Sequence, residues 1–208
     1  MGNRFAEIAF TKSVRAAQLR MNSRDAMDAM TSGDRYHHIL GDNETTFIRE
    51  RDSFYMASTG DGGWPYVQHR GGPAGFVRVL DEKTLAWPDF RGNLQYISLG
   101  NLSQDKRACL FFMDYANRIR LKLFGRVTIS EDADLLLKFT LPGYKARIER
   151  AMLIDVEAFD WNCPQHIVPR YSIEVIEDAT AMLRTRISEL ESRLARYEQP
   201  SNSNEAKR

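Results

Sequence analysis

The sequence predicts an α+β fold, mainly β: a small antiparallel barrel of about six strands, with helices before it and one helix after it. Three observations carry that reading. From Ser53 to Val156, β-patterned runs alternate with short turns rich in Gly, Asp and Lys. Residues 11–31 place apolar side chains at helical spacing among charges, and Leu183, Ile187, Leu190, Leu194 and Tyr197 recur at steps of four, three, four and three. The expected organisation is a helical extension over 1–44, a barrel domain over 45–175, an amphipathic helix over 176–199 and a disordered tail over 200–208.

In chain order, Val14, Ala17, Leu19, Met21, Ala26, Met27 and Met30 mark one or two helices broken near Asn22-Ser23. Asp42-Asn43-Glu44-Thr45-Thr46 reads as a helix start, with Phe47 and Ile48 as its first apolar pair. Phe54 to Thr59 and Pro65 to His69 form a hairpin around Gly60-Asp61-Gly62-Gly63. Phe76 to Leu80 and Thr84 to Pro88 form a second one around Asp81-Glu82-Lys83. Asn93 to Ser103 has helical spacing through Tyr96, Ile97, Leu99 and Leu102, with Asn93 as a good cap. Ala108 to Met113 is a continuous apolar run of the kind buried on both faces. From Arg118 to Ile129 the pattern alternates, Ile119, Leu121 and Leu123 facing one way and Arg118, Arg120 and Lys122 the other. Ala151 to Val156 adds a strand. The C-terminal seam spans about two heptads, and it needs a cover, either a partner subunit or the barrel.

Composition narrows the function. Lysine plus arginine (29) nearly balances aspartate plus glutamate (28), so no global basic field exists to grip nucleic acid or an anionic membrane. Any anion site must be local. The two cysteines, Cys109 and Cys163, are not closely spaced and suggest neither a disulfide framework nor structural zinc. No signal core or spanning segment is evident, and Ala6 breaks the myristoylation pattern, so a soluble cytoplasmic protein is expected.

Between Trp64 and Arg126, aromatic, arginine and glycine residues cluster at strand ends. A flat, anionic heterocycle needs such a set: apolar walls for its ring, cations and bare backbone N–H groups for its phosphate. Gln68, His69 and Arg70 end a strand, and Gly71 and Gly72 allow close approach to a ligand. Arg70 can pair with phosphate or stabilise the edge of a reduced ring; alternatively it is an ordinary surface charge beside a turn. Arg78 lies mid-strand. Trp87, Asp89, Arg91, Asn93, Gln95 and Ser98 follow at a strand-to-helix junction, where unpaired helix N–H groups make an anion site. Trp161, Asn162, Cys163, Gln165 and His166 bring a flat ring, two amides, a thiol and an imidazole within six residues. Cys163 and His166 alone supply too few ligands for zinc.

The runs Asp52-Ser53-Phe54-Tyr55, Gly63 to Pro73, Arg91-Gly92-Asn93, Gln95-Tyr96-Ile97-Ser98 and Phe159 to His166 resemble the pyridoxamine 5′-phosphate oxidase-like family, and more narrowly its flavin-nucleotide-binding branch. The resemblance covers roughly residues 45–175 and implies a split β-barrel homodimer with FMN at the subunit interface. It aligns Arg78 with a basic strand residue that contacts the FMN phosphate or ribityl. One departure stands out: the parent oxidases carry adjacent basic residues near the helix start, whereas this chain has Leu94-Gln95-Tyr96. Either Arg91, Arg78 and Arg70 supply that charge, or the phosphate is held less tightly. The implied activity is oxidoreduction, with hydride exchanged at flavin N5 on a small substrate. Pyridoxamine phosphate oxidation itself is disfavoured, because the parent enzymes' C-terminal arginine-rich substrate motif has no counterpart here. The alternatives are a non-catalytic flavin carrier or regulatory module, and a split barrel that prefers F420 or haem.

Overall fold

Among the described residues, four short helices precede the sheet: α1 (Arg4–Ala9), α2 (Lys12–Arg20), α3 (Arg24–Thr31) and α4 (Asp42–Arg49). The computed structural model describes residues 3–32, 37–161 and 164–198. Helices α2 and α3 part at Asn22, whose φ of 55° is left-handed, a conformation that asparagine tolerates better than most residues. Glu44 organises the start of α4. One carboxylate oxygen accepts from the Gly41 N–H at 2.9 Å, and the other accepts from Trp161 Nε1 at 2.7 Å. The second bond ties the helix to the C-terminal end of the Ile148–Trp161 strand.

Seven antiparallel strands follow: β1 (Ser53–Thr59), β2 (Pro65–Gly71), β3 (Arg78–Val79), β4 (Thr84–Phe90), β5 (Arg107–Asp114), β6 (Ile119–Ser130) and β7 (Ile148–Trp161). Their order is β2-β1-β5-β6-β7-β4-β3, so β2 and β3 stand at the two ends and the sheet is not closed by hydrogen bonds, as in a split barrel. Helix α5 (Ile97–Gln104) bridges β4 and β5, and α6 (Ala133–Lys138) bridges β6 and β7.

One large cluster of aromatic and aliphatic side chains forms the core. Phe54 stacks on Phe112 at 4.9 Å between centroids and meets the edge of Trp87 at 5.3 Å; such pairs add about 0.5–1.5 kcal/mol each beyond area burial. Leu110, Leu121, Leu123 and Ile154 are fully buried beside them. The long strands β6 and β7 slip register between Phe124 and Gly125. There the backbones come so close that a Cβ on Gly125 would sit 2.3 Å from the Asp155 carbonyl oxygen. Glycine is the residue this bulge admits.

Several expectations change. The second hairpin is real, but β3 shrinks to two residues because Phe76 and Val77, both buried, enter the core ahead of it. Strand β5 buries alternate residues rather than both faces, since Cys109, Phe111 and Met113 are half-covered in the single chain. The helix expected from Asn93 starts at Ile97, capped at Tyr96, because Leu94 and Tyr96 take left-handed backbone angles of 64° and 50°.

The chain divides into two units, Met1–Ile167 and Val168–Arg208. The second is dominated by one helix, α7 (Ile173–Glu198), which has no buried residue and begins three residues before the boundary expected from sequence. The predicted tail, 200–208, lies outside the described residues. Among the described residues, no helix is long and apolar enough to cross a membrane.

Candidate functional site

The site is built where the end of β2, the end of β4, the start of β7 and the N-terminus of α5 converge. Side chains alternate along β2, so Tyr66, Gln68 and Arg70 face one way while Val67 and His69 face the other. Gln68 and Arg70 line a cleft with Asp89, Asn93, Gln95 and Ser98. Tyr66, Phe90, Gly92, Leu94, Tyr96, Ile97, Leu99 and Glu149 complete its wall.

At the cleft's floor, a carboxylate sits between two guanidinium groups. Asp89 Oδ1 accepts from Arg70 Nη1, and Asp89 Oδ2 accepts from Arg150 Nη1 at 2.7 Å. All three side chains are about nine-tenths covered, at 13%, 10% and 10% exposure for Arg70, Asp89 and Arg150. The sheet dictates this arrangement, because Asp89 of β4 lies directly opposite Arg150 of β7. Arg150 also approaches Glu149 at 3.3 Å and lies under the Tyr96 ring at 5.4 Å from its centroid. Burial pulls the Arg150 pKa down, but the Asp89 bond and the charges of Asp89 and Glu149 outweigh it and hold the pKa above its ordinary value. Arg70 Nε remains buried without a hydrogen-bond partner.

Helix α5 presents its first turn to the same cleft. Tyr96 provides no side-chain cap, so the N–H groups of that turn are open to a ligand at the positive end of the helix dipole. Its placement is fixed from below. Ser98 Oγ donates to Gln68 Oε1 at 2.6 Å, and Asn101 Nδ2 donates to Ser58 Oγ at 3.1 Å. The Tyr96 hydroxyl donates to Glu149 at 3.2 Å, closing the rim. Asn93 does not cap the helix; its side-chain Oδ1 accepts from the Gln95 N–H at 3.2 Å and shapes the approaching loop.

Six of the sequence-chosen residues thus share one cleft: Gln68, Arg70, Asp89, Asn93, Gln95 and Ser98. Arg91 stands at its edge, half-exposed, with Nε 3.8 Å from Glu149. The others lie elsewhere. His69 points away from the cleft and meets the edge of Tyr55 at 5.5 Å. Gly71 follows on β2 and is not part of the lining. Trp87 is wholly buried in the core. Arg78 lies over the Phe139 ring at 5.4 Å, beside α6. Trp161 is pinned by Glu44 and by an edge contact with Phe47 at 4.8 Å. Gln165 and His166 sit in an exposed loop after β7, and Asn162 and Cys163 lie outside the described residues.

Sequence reasoning missed Arg150 and Glu149. The local signal is faint: an arginine between Glu149 and Ala151 in a strand that is otherwise apolar inward. Its meaning comes only from the β4–β7 register.

Residues 40–169, more than half of the chain, match the profile of the pyridoxamine 5′-phosphate oxidase family. The chain belongs to that family. Similar solved structures include HupZ of Group A Streptococcus, 13% identical, with 64% of this chain and 100% of that chain covered and a TM-score of 0.50. A protein related to general stress protein 26, of the pyridoxinephosphate oxidase family, from Clostridium acetobutylicum is 15% identical over 64% of this chain and 94% of that one, with a TM-score of 0.45. An FMN-binding protein from Syntrophomonas wolfei is 7% identical over 70% and 97%, with a TM-score of 0.44. At these identities the likeness concerns the fold alone. No curated protein matches the chain by sequence.

Proposed function

We propose that this chain is an FMN-dependent oxidoreductase of the cytoplasm, working as a homodimer on a small substrate. The observation that carries the reading is that an uncapped helix N-terminus and the partly unsatisfied Arg70 line one cleft. The α5 first turn, with Arg91 at the rim, suits the phosphate. Gln68, Arg70 and Asn93 suit the polar edge of the isoalloxazine. FMN would supply hydride exchange at its N5; the protein supplies position and charge.

The residues divide that work. Asp89 holds Arg70 in place, so the cation's direction is fixed before a ligand arrives. Gln68, held by Ser98, presents an amide whose remaining groups are free to bind. Tyr96 and Leu94 give the cleft an apolar lip. Within one chain the cleft encloses about 50 Å³, well below the roughly 300–1,000 Å³ of pockets that bury a ligand of flavin size. A second copy supplying the opposite wall accounts for that shortfall.

The test is a visible spectrum of the purified protein, followed by titration of the apoprotein with FMN. Yellow protein, or uptake of one FMN per chain, is the expected result. A colourless preparation that takes up no FMN rejects the proposal. Mass spectrometry of the released cofactor separates FMN from F420 or haem. If flavin is bound but neither NADH nor NADPH bleaches it, and oxygen does not reoxidise the dithionite-reduced form, the chain is a flavin carrier rather than an enzyme.

A further inference from the structure

Helix α7 runs from Ile173, so the apolar seam that the sequence showed from Leu183 to Tyr197 extends back over two earlier heptads. With Leu183 and Leu190 as d positions, the a positions are Ile173, Thr180, Ile187 and Leu194, and the d positions are Ile176, Leu183, Leu190 and Tyr197. Seven of these eight residues are large and apolar, and all seven are exposed, from 46% at Leu190 to 82% at Tyr197. Four consecutive heptads reach the length at which such a pattern argues for a coiled coil. The remaining residue, Thr180, satisfies its hydroxyl on its own helix, donating to the Ile176 carbonyl at 2.8 Å. It therefore brings no unpaired hydroxyl into a seam.

The identity of the partner follows from the flanking charges. The g positions near the C-terminal end are Arg186 and Arg193, and the e positions five residues further on are Glu191 and Glu198. In a parallel, in-register pair of identical helices, each g residue meets the e residue of the next heptad across the seam. Arg186 then faces Glu191 of the second copy and Arg193 faces Glu198, and symmetry doubles both pairs. The earlier heptads place Ser172 and Ala179 at g and add no repulsion. An antiparallel pair would instead set the arginine row against itself. At the middle of the seam Ile187 at a lies between Leu183 and Leu190 at d, the combination that favours two strands.

We propose that α7 forms a parallel two-stranded coiled coil with α7 of a second copy of this chain. This interface is built from α7 alone and is independent of the cofactor reading. It raises the effective concentration of one catalytic unit for the other, so two copies stay together when the protein is dilute.

The experiment uses the full chain, with and without FMN. Leu190→Cys, at a d position, is oxidised mildly at low protein concentration and run on a non-reducing gel beside wild type and Ser192→Cys, which faces outward at f. The expected result is a dominant dimer in which peptide mapping finds position 190 joined to position 190, with wild type and Ser192→Cys at background. Adding Arg186→Glu should slow formation of the link several-fold, and adding Glu191→Arg as well should restore it. No link at position 190, equal linking at 190 and 192, or indifference to the charge exchange overturns the proposal. None of these outcomes touches the flavin reading, which the spectrum decides.

Discussion

Replacing Asp89 with asparagine removes the negative charge at the cleft floor while keeping the side chain's shape. Asp89 gives one oxygen to Arg70 and the other to Arg150, and only about a tenth of each side chain is exposed. Asparagine has one acceptor, and its NH₂ group would point at a guanidinium N–H, donor against donor. One charge-assisted hydrogen bond is lost, about 1.5–3 kcal/mol. Arg70 is also left without its counter-ion, whereas Arg150 keeps Glu149, and breaking a buried pair costs about 3–5 kcal/mol in all. The cleft admits some solvent, so the lower end applies, about 3 kcal/mol. For a chain of this size that corresponds to a fall in Tm of about 6–12 °C. Urea unfolding of apo wild type, Asp89→Asn and the half-exposed control Arg91→Gln measures it. The control should change by less than about 1 kcal/mol, as exposed pairs do. A loss for Asp89→Asn below about 1 kcal/mol would refute the account of Asp89 as the clamp of two arginines.

Other substitutions probe separate parts of the structure. Gly125→Ala forces a methyl against the Asp155 carbonyl and the Ile154 side chain. A loss of about 3 kcal/mol, at the upper end for overpacking, is expected in thermal or urea unfolding. Ser98→Ala removes the donor to Gln68 at a buried position and should cost about 1 kcal/mol, together with weaker uptake of FMN in a fluorescence titration. Asp160 and Asp114 should respond to pH in opposite ways. Burial raises the Asp160 pKa, so its ionised form opposes folding; Asp160→Asn should stabilise at pH 7, the gain fading as pH falls through the raised value. Burial also acts to raise Asp114, but donation from Asn117 and Arg51 outweighs it and the net shift is downward. Its carboxylate therefore stabilises the fold above about pH 4, the ordinary range of the unfolded group, and that contribution disappears as pH falls through the lowered value. Urea midpoints of wild type and Asp114→Asn should accordingly converge in acid.

The strands with strict alternation were legible. Leu121 and Leu123 of β6 and the β1–β2 hairpin stand where the pattern placed them, since period-two burial leaves its mark residue by residue. The glycine-rich turn was equally plain. What escaped depended on pairing between distant strands. Arg150 becomes significant only because β7 lies beside β4 and sets it opposite Asp89. Grouping Gln68, His69 and Arg70 ignored the pleat, which sends the middle residue to the other side. Trp87 read as a ring for stacking, yet it sits two residues below Asp89 on the same face of β4, one step deeper into the barrel. Helix α7 begins three residues before its expected start, and its apolar seam was read only from Leu183 onward because Thr180 interrupts the series.

Leu94 and Tyr96 hold left-handed backbone angles although neither is glycine or asparagine, and such conformations cost about 1–3 kcal/mol each. The lip of the cleft is therefore a loaded segment, kept taut by the Tyr96–Glu149 bond and by the anchoring of α5 through Ser98 and Asn101. Glycine at either position would relax the backbone and surrender a side chain that walls the opening. The molecule gives up resting stability at its entrance to keep that doorway shaped.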